Sequence, residues 1–154
     1  MQKISPFLWF EKDAGEIAKF YTSIFKGSKI KERTTLSDTP SGTVEIITLE
    51  LLGLELTIMT AGPLFKFNES VSFVVPCETQ DEIDYYWKRL SSDPKAEQCG
   101  WCKDKYGLSW QIVPTILTKM LQDKDAKRVA RVTEALLKMK KFELDALKQA
   151  YEGK

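Results

Sequence analysis

The sequence predicts an α+β fold: two βαβββ repeats forming a curved mixed or antiparallel sheet around a central cavity, with a helical extension at the C-terminus. Three observations predict it. An apolar strand followed by a capped amphipathic helix occurs twice. Each occurrence runs on into short strand-like segments joined by turns. A Gly-Leu strand closes each half, first at Gly53–Met59 and again at Gly107–Val113.

In the first half, Lys3–Phe10 is apolar through Phe7, Leu8, Trp9 and Phe10 and reads as a buried strand. Asp13 stands three residues before Glu16, which predicts a capping box with Asp in the Ser/Thr place. Ala14, Ile17, Ala18, Tyr21, Ile24 and Phe25 follow at the spacing of one helical face, and Gly27 ends the helix. Strands are predicted at Ser28–Leu36, Thr43–Leu51 and Leu54–Met59, with a turn over Ser37–Gly42. The Gly62-Pro63 loop carries two conspicuous aromatics, Phe65 and Phe67.

The second half repeats the order. Val71–Val75 is a strand, Thr79 and Glu82 form a second capping box, and Ile83, Tyr86, Trp87 and Leu90 share a helical face. Strands are predicted at Ala96–Lys103 and Leu108–Val113, separated by Asp104-Lys105-Tyr106-Gly107. The caps Asp13 and Thr79 are 66 positions apart, and Glu, Ile and an aromatic pair coincide at that offset. Duplication is the simplest account. The predicted organisation is a body over 1–114, with repeats at 1–62 and 69–114, and an extension over 115–154.

Composition fits a globular chain. Of 154 residues, 43% are hydrophobic and 29% charged, enough for a core without disulfide staples. The 23 basic and 22 acidic residues leave a net charge of +1, which gives no long-range field for DNA or an anionic membrane. No apolar run is long enough for a membrane span, and the start MQKISPFLWFEKD lacks a signal-peptide pattern. A cytoplasmic location is expected, and with it three free thiols rather than a disulfide framework.

Several stretches carry a family resemblance: Pro6-Phe7-Leu8-Trp9-Phe10, Phe20-Tyr21, Gly62-Pro63-Leu64-Phe65-Lys66-Phe67-Asn68, Gln98-Cys99-Gly100-Trp101 and Lys103 through Pro114. They resemble the PhnB-like branch of the vicinal oxygen chelate superfamily, the group of glyoxalase and bleomycin-resistance proteins. That branch is often labelled a 3-demethylubiquinone 3-methyltransferase domain. The resemblance covers nearly the whole chain and implies the doubled fold with its cavity. It also implies four central positions that hold metal in the metal-using members, which here fall on Pro6, Thr57, Ser72 and Gln111.

Those residues predict no metal centre. The chain has no histidine. Proline has no side-chain donor, and the hydroxyls of Ser and Thr are poor ligands for divalent transition metals. Gln111 alone could coordinate, and one neutral oxygen does not hold a cation against water. Glyoxalase I and extradiol dioxygenase chemistry are therefore not expected, and no cofactor is predicted. The expected cavity lining is Leu8, Thr57, Met59, Ser72, Val74, Gln111 and Val113, with Trp9, Phe65 and Phe67 at its edge. The bland alternative is that the apolar members only fill a core.

Cys99-Gly-Trp-Cys102 has redox or zinc spacing, but in a strand residues i and i+3 point to opposite faces, so two free thiols are expected. Cys77 reads as structural. A Gly-rich dinucleotide loop, a P-loop and a Ser-His-Asp set are all absent, so the methyltransferase label has no support in these residues. Glu55 and Tyr106 are the acid–base candidates. In the tail, Thr115–Leu121, Ala126–Lys140 and Phe142–Tyr151 read as helices. Their basic residues are interleaved with acids, which favours a solvated face over nucleic-acid binding. Their apolar stripe should pack on the core or on a second subunit, and a homodimer is expected.

The functional expectation is a metal-independent small-molecule binding protein, ligand unknown. One alternative is an enzyme of the same superfamily acting on a small organic substrate. The other is a nucleic-acid or protein-interaction module built on the basic C-terminal helices.

Overall fold

The structure is a computed structural model that describes residues 3–154. It divides into two compact units, Met1–Lys66 and Phe67–Lys154.

The first unit is a four-stranded sheet with one helix. Its elements are β1 (Phe7–Phe10), α1 (Ala14–Ile24), β2 (Lys29–Thr39), β3 (Gly42–Leu51) and β4 (Leu54–Thr60). The sheet order is β1-β4-β3-β2, with β1 parallel to β4 and the remaining pairs antiparallel. Leu8 and Phe10 of β1, Leu56 and Ile58 of β4, and Ile47 and Leu49 of β3 are buried. They meet the apolar stripe of α1, where Ile17, Ala18, Tyr21 and Ile24 are buried too. Each fully buried aliphatic side chain contributes roughly 1.5–3 kcal/mol of transfer free energy.

The second unit has β5 (Ser72–Cys77), α2 (Gln80–Leu90), a 3₁₀ turn at Pro94–Ala96, β6 (Trp101–Lys103) and β7 (Ser109–Pro114). Its sheet order is β5-β7-β6, with β5 parallel to β7 and β6 antiparallel to it. Helix α2 packs on this sheet and buries Ile83 and Leu90. The tail forms α3 (Thr115–Leu121), α4 (Ala126–Leu137) and α5 (Leu144–Glu152). Its stripe is buried within the same chain: Leu117, Met120, Val132, Phe142 and Leu147 form one cluster, with Leu136, Met139 and Tyr151 packed against it.

Three expectations need correction. First, Asp13 forms no capping box. Its backbone is left-handed, at φ 65°, and its side chain caps nothing, whereas Thr79 and Glu82 form the box in full. Three residues, Glu11 to Asp13, join β1 to α1, but only Glu78 and Thr79 join β5 to α2. The extra residue is absorbed by the αL turn, which Asp tolerates better than most residues. Second, the strand predicted at Ala96–Lys103 shortens to Trp101–Lys103. The preceding residues make the 3₁₀ turn and a tight hairpin. Gln98 and Trp101 exchange backbone hydrogen bonds of 3.1 and 2.8 Å around Cys99 and Gly100, at φ 49° and 79°. Positive φ at both central positions is the type I′ signature. Third, Cys99 consequently sits in a turn and not in a strand.

Candidate functional site

Parallel register decides which side chains share a sheet face. In the first unit Phe7 lies opposite Thr57, Leu8 opposite Ile58 and Trp9 opposite Met59. Directly opposite residues point the same way. Phe7, Trp9, Thr57 and Met59 therefore occupy the face away from α1, and antiparallel pairing adds Ile46 and Thr48 of β3. Leu8, expected on this face, lies on the other one, buried toward α1 with Ile58.

Trp9 is fixed on the open face. Its Nε1–H donates to the Gly62 carbonyl at 2.8 Å, and its ring meets Phe65 edge-on with centroids 5.0 Å apart. Phe7 and Phe65 remain 58% and 59% exposed. Thr48 and Thr57 hydroxyls approach at 3.4 Å. At the far end Lys31 pairs with Glu55 at 2.5 Å and with Glu50 at 3.8 Å. The hydrogen bond to Glu55 raises the Lys31 ammonium above its ordinary value. Glu55 is thus engaged in an exposed ion-pair cluster rather than poised as an isolated acid.

In the second unit the face opposite α2 can be read in rows. Ser72 of β5, Ser109 of β7 and Lys103 of β6 are mutual partners across the sheet. Val74, Gln111 and Trp101 form the next row, and Pro76 with Val113 the third. The Gln111 Nε2 donates to Ser72 Oγ at 2.8 Å. So Ser72, Val74, Gln111 and Val113 share one sheet face. Trp101, Lys103 and Ser109 join them and were missed. The available signal was pairing register, since β6 residues two apart from Lys103 must alternate onto the same face. Phe67 is half-buried in this unit, and Phe65 belongs to the other.

The position assigned to Pro6 also shifts. Helices α1 and α2 begin 66 positions apart, at Ala14 and Gln80. If Thr57 corresponds to Gln111, their partners Phe7 and Val74 are 67 positions apart. The extra loop residue causes the slip. The counterpart of Ser72 is then Ser5, and Pro6 alternates with Leu8 on the helix side. Its carbonyl accepts from the Thr57 N–H at 2.9 Å.

A metal site like those of metal-using relatives does not fit these donors. Thr57, Ser72 and Gln111 offer only neutral oxygens, and replacing Pro6 by Ser5 adds another hydroxyl. Among the described residues no group of three or more His, Cys, Asp or Glu is placed to hold a metal ion. Two clefts lie off these faces. One, of about 400 Å³, is lined by Glu11, Asp13, Thr43, Glu45 and Thr60, and the other, of about 420 Å³, by Ile116, Met120, Lys148 and Tyr151.

Asp104 is the principal organiser missed from sequence. It is buried, and its Oδ1 accepts from the backbone N–H of Tyr106 (2.8 Å) and Leu108 (3.1 Å), while Oδ2 accepts from Trp110 Nε1 (2.8 Å). Three donors replace the water a carboxylate needs. The thiols are free. Burial pushes Cys77 and Cys102 each up to about 12. Such thiols are inert as nucleophiles. Tyr106 stands beside Lys105, whose ammonium lies 5.1 Å from the ring centre.

Two units of strand, helix and further strands, each closing its last strand parallel to its first, define the glyoxalase-like α+β fold. A FosX fosfomycin-resistance protein from Listeria monocytogenes, solved with Mn(II) and a dihydroxypropylphosphonic acid, shares this fold at 17% identity and TM-score 0.51, over 71% of this chain and 90% of that one. A glyoxylase/bleomycin resistance protein/dioxygenase domain from Frankia sp. does so at 14% identity and TM-score 0.50, over 74% and 92%. The family model for 3-demethylubiquinone-9 3-methyltransferase matches residues 2–113. A PhnB protein from Bacillus cereus, assigned to that same methyltransferase, is 32% identical, with TM-score 0.62 over 74% of this chain and 100% of that one. The chain belongs to this PhnB-like, 3-demethylubiquinone-9 3-methyltransferase family. No curated protein matches it. Among the described residues no helix is long and apolar enough to cross a membrane.

Proposed function

We propose that the protein is a metal-independent small-molecule binding protein of the glyoxalase/bleomycin-resistance type. It works as a cytoplasmic homodimer, built on a duplicated unit over residues 1–114 with 115–154 as a helical clamp. The observation that carries this reading is the chemistry of the two sheet faces opposite the helices. One presents Phe7, Trp9 and Met59. The other presents Val74, Trp101 and Val113 around the Gln111–Ser72 hydrogen bond. Apolar surface with a few placed neutral polar groups is how small organic ligands are held. Membership in a superfamily that includes binding proteins as well as enzymes agrees with it.

An interaction module on the basic tail is less well supported. Arg131 donates to the Ala150 and Tyr151 carbonyls, and Arg128 stacks on Tyr151 at 4.9 Å. Lys138, Lys140 and Lys141 pair with Glu134, Glu97 and Asp84. Those cations already have partners. The test is elemental analysis of purified protein beside native mass spectrometry. A bound organic mass at substoichiometric metal is the expected result, lost in Gln111→Leu. Stoichiometric metal retained through dialysis would overturn the reading.

A further inference from the structure

The row Ser72–Ser109–Lys103 has chemistry that the reading above does not use. Ser109 is 1% exposed, yet its Oγ is buried with no hydrogen-bond partner. An orphaned buried hydroxyl costs roughly 1–3 kcal/mol, so one kept on the sheet face opposite α2 calls for an explanation. Register puts it on the Gln111 face, between Ser72 on β5 and Lys103 on β6. Ser72 Oγ already accepts from Gln111, which leaves its own proton to donate. Lys103 supplies an ammonium. The three side chains therefore make an array of donors.

A carboxylate is known to fit one end of it. Glu69 pairs with Lys103 at 2.5 Å. The Glu69 side chain is 62% exposed, so it is held chiefly by that one ion pair, and exposed pairs are worth about 1 kcal/mol or less. An incoming acid that also met Ser109 and Ser72 would gain donors that Glu69 lacks. The next row, Val74–Gln111–Trp101, is apolar at both ends and includes a flat indole. Successive same-face rows are roughly 6.6–6.8 Å apart along a strand. That is close to the span from the carboxyl carbon to the far edge of the second ring in a linearly extended bicyclic acid such as 2-naphthoate.

We infer that this face binds a small aromatic or otherwise planar carboxylic acid, its acid group on Ser72, Ser109 and Lys103 and its body over Val74 and Trp101. The inference rests on the binding-protein reading and narrows it to one ligand class.

The test uses the full chain and two probes of similar size, 2-naphthoate and 2-naphthalenemethanol, followed by titration calorimetry. Wild type is expected to prefer the acid about ten-fold or more, the factor that charge-assisted hydrogen bonds deliver. Lys103→Met and Ser109→Ala should each erase most of that preference. Ser109→Ala should keep or raise Tm, since it removes an unsatisfied group. If wild type binds both probes equally, or the preference survives both variants, the acid site is wrong while the binding reading stands. Binding of neither probe, with no organic mass retained by the native protein, would overturn both. A Tm loss of several degrees in Ser109→Ala would mean that the hydroxyl is structural, and would overturn its role here.

Discussion

Replacing Gly100 by Ala separates two costs that are usually confounded. Gly100 is the second central residue of the type I′ turn, at φ 79°. A Cβ there would stand 2.8 Å from Phe142 Cδ2 and 2.9 Å from the Ile112 carbonyl oxygen, and nearer still to Phe142 Cε2. Holding Ala in the left-handed region costs about 1–2 kcal/mol. Phe142 is 2% exposed within the tail cluster, and driving its ring out approaches the cost of truncation, about 3–5 kcal/mol. The total for Gly100→Ala is about 4–7 kcal/mol, less whatever the ring recovers by shifting. Gly107 is the control. Its φ is 87°, but a Cβ there meets nothing within 4 Å, so Gly107→Ala carries the strain alone. Urea denaturation of both variants reads the difference. Hydrogen exchange localises it, because the Cys99 and Gly100 N–H groups donate to Met139 and Lys140 carbonyls at 2.9 and 2.7 Å. Both amides should lose protection in Gly100→Ala and keep it in Gly107→Ala. Equal stability losses in the two variants would refute the steric argument, as would retained protection at Cys99 and Gly100.

Thr79→Ala should cost about 1 kcal/mol through loss of its cap, while Asp13→Gly should be neutral or stabilising because it relieves αL strain and breaks no side-chain cap. Thermal melts of the pair check this, and a destabilised Asp13→Gly would contradict it. Asp104→Ala leaves three donors without their acceptor and should lose about 3 kcal/mol or more. A loss under about 1 kcal/mol in urea would show that water or another group replaces the carboxylate. Alkali should destabilise the fold through Cys77 and Cys102. Their thiols are raised from 9.0 to about 12 in the fold, so the stability they contribute is complete below about pH 9 and is lost as pH rises toward 12. The urea midpoint should fall over that window, and fall less in a Cys77→Ala, Cys102→Ala double variant. An unchanged slope in that variant would place the pH dependence elsewhere.

What was legible in the sequence follows from how strongly each pattern is tied to geometry. The helix faces of Ile17, Tyr21 and Ile24, and of Ile83 and Leu90, were read from period alone, because burial of one stripe leaves few alternatives. The face of β7 was readable for the same reason: Gln111 and Val113 alternate with buried Trp110 and Ile112. In β1 all four residues, Phe7-Leu8-Trp9-Phe10, are apolar, so alternation is silent, and Leu8 was put on the wrong face. Asp104 looks like any acid in a polar turn. Only its place six residues before Trp110 hints that an indole N–H needs an acceptor. The Cys99-Gly100 turn lacks the Asn-Gly or Asp-Gly signal of its type. Its backbone donors are satisfied by the tail, at Met139 and Lys140, some 40 residues away in sequence and outside any local pattern.

The slip at Pro6 shows which part of the site reading depends on register. A shift of one residue sends every side chain of a strand to the other face. The extra residue in the Glu11–Asp13 connection therefore exchanges Pro6 for Ser5 at the position matching Ser72. Packing conclusions drawn from Pro6 and Leu8 change with it. The donor chemistry does not, because either register leaves that position without imidazole, carboxylate or thiolate. On the second unit's open face the neutral polar groups stand beside the ammonium of Lys103. The discriminating residues are thus Ser72, Ser109, Gln111 and Lys103, and a ligand should be sought among molecules that need hydrogen-bond donors rather than a Lewis acid.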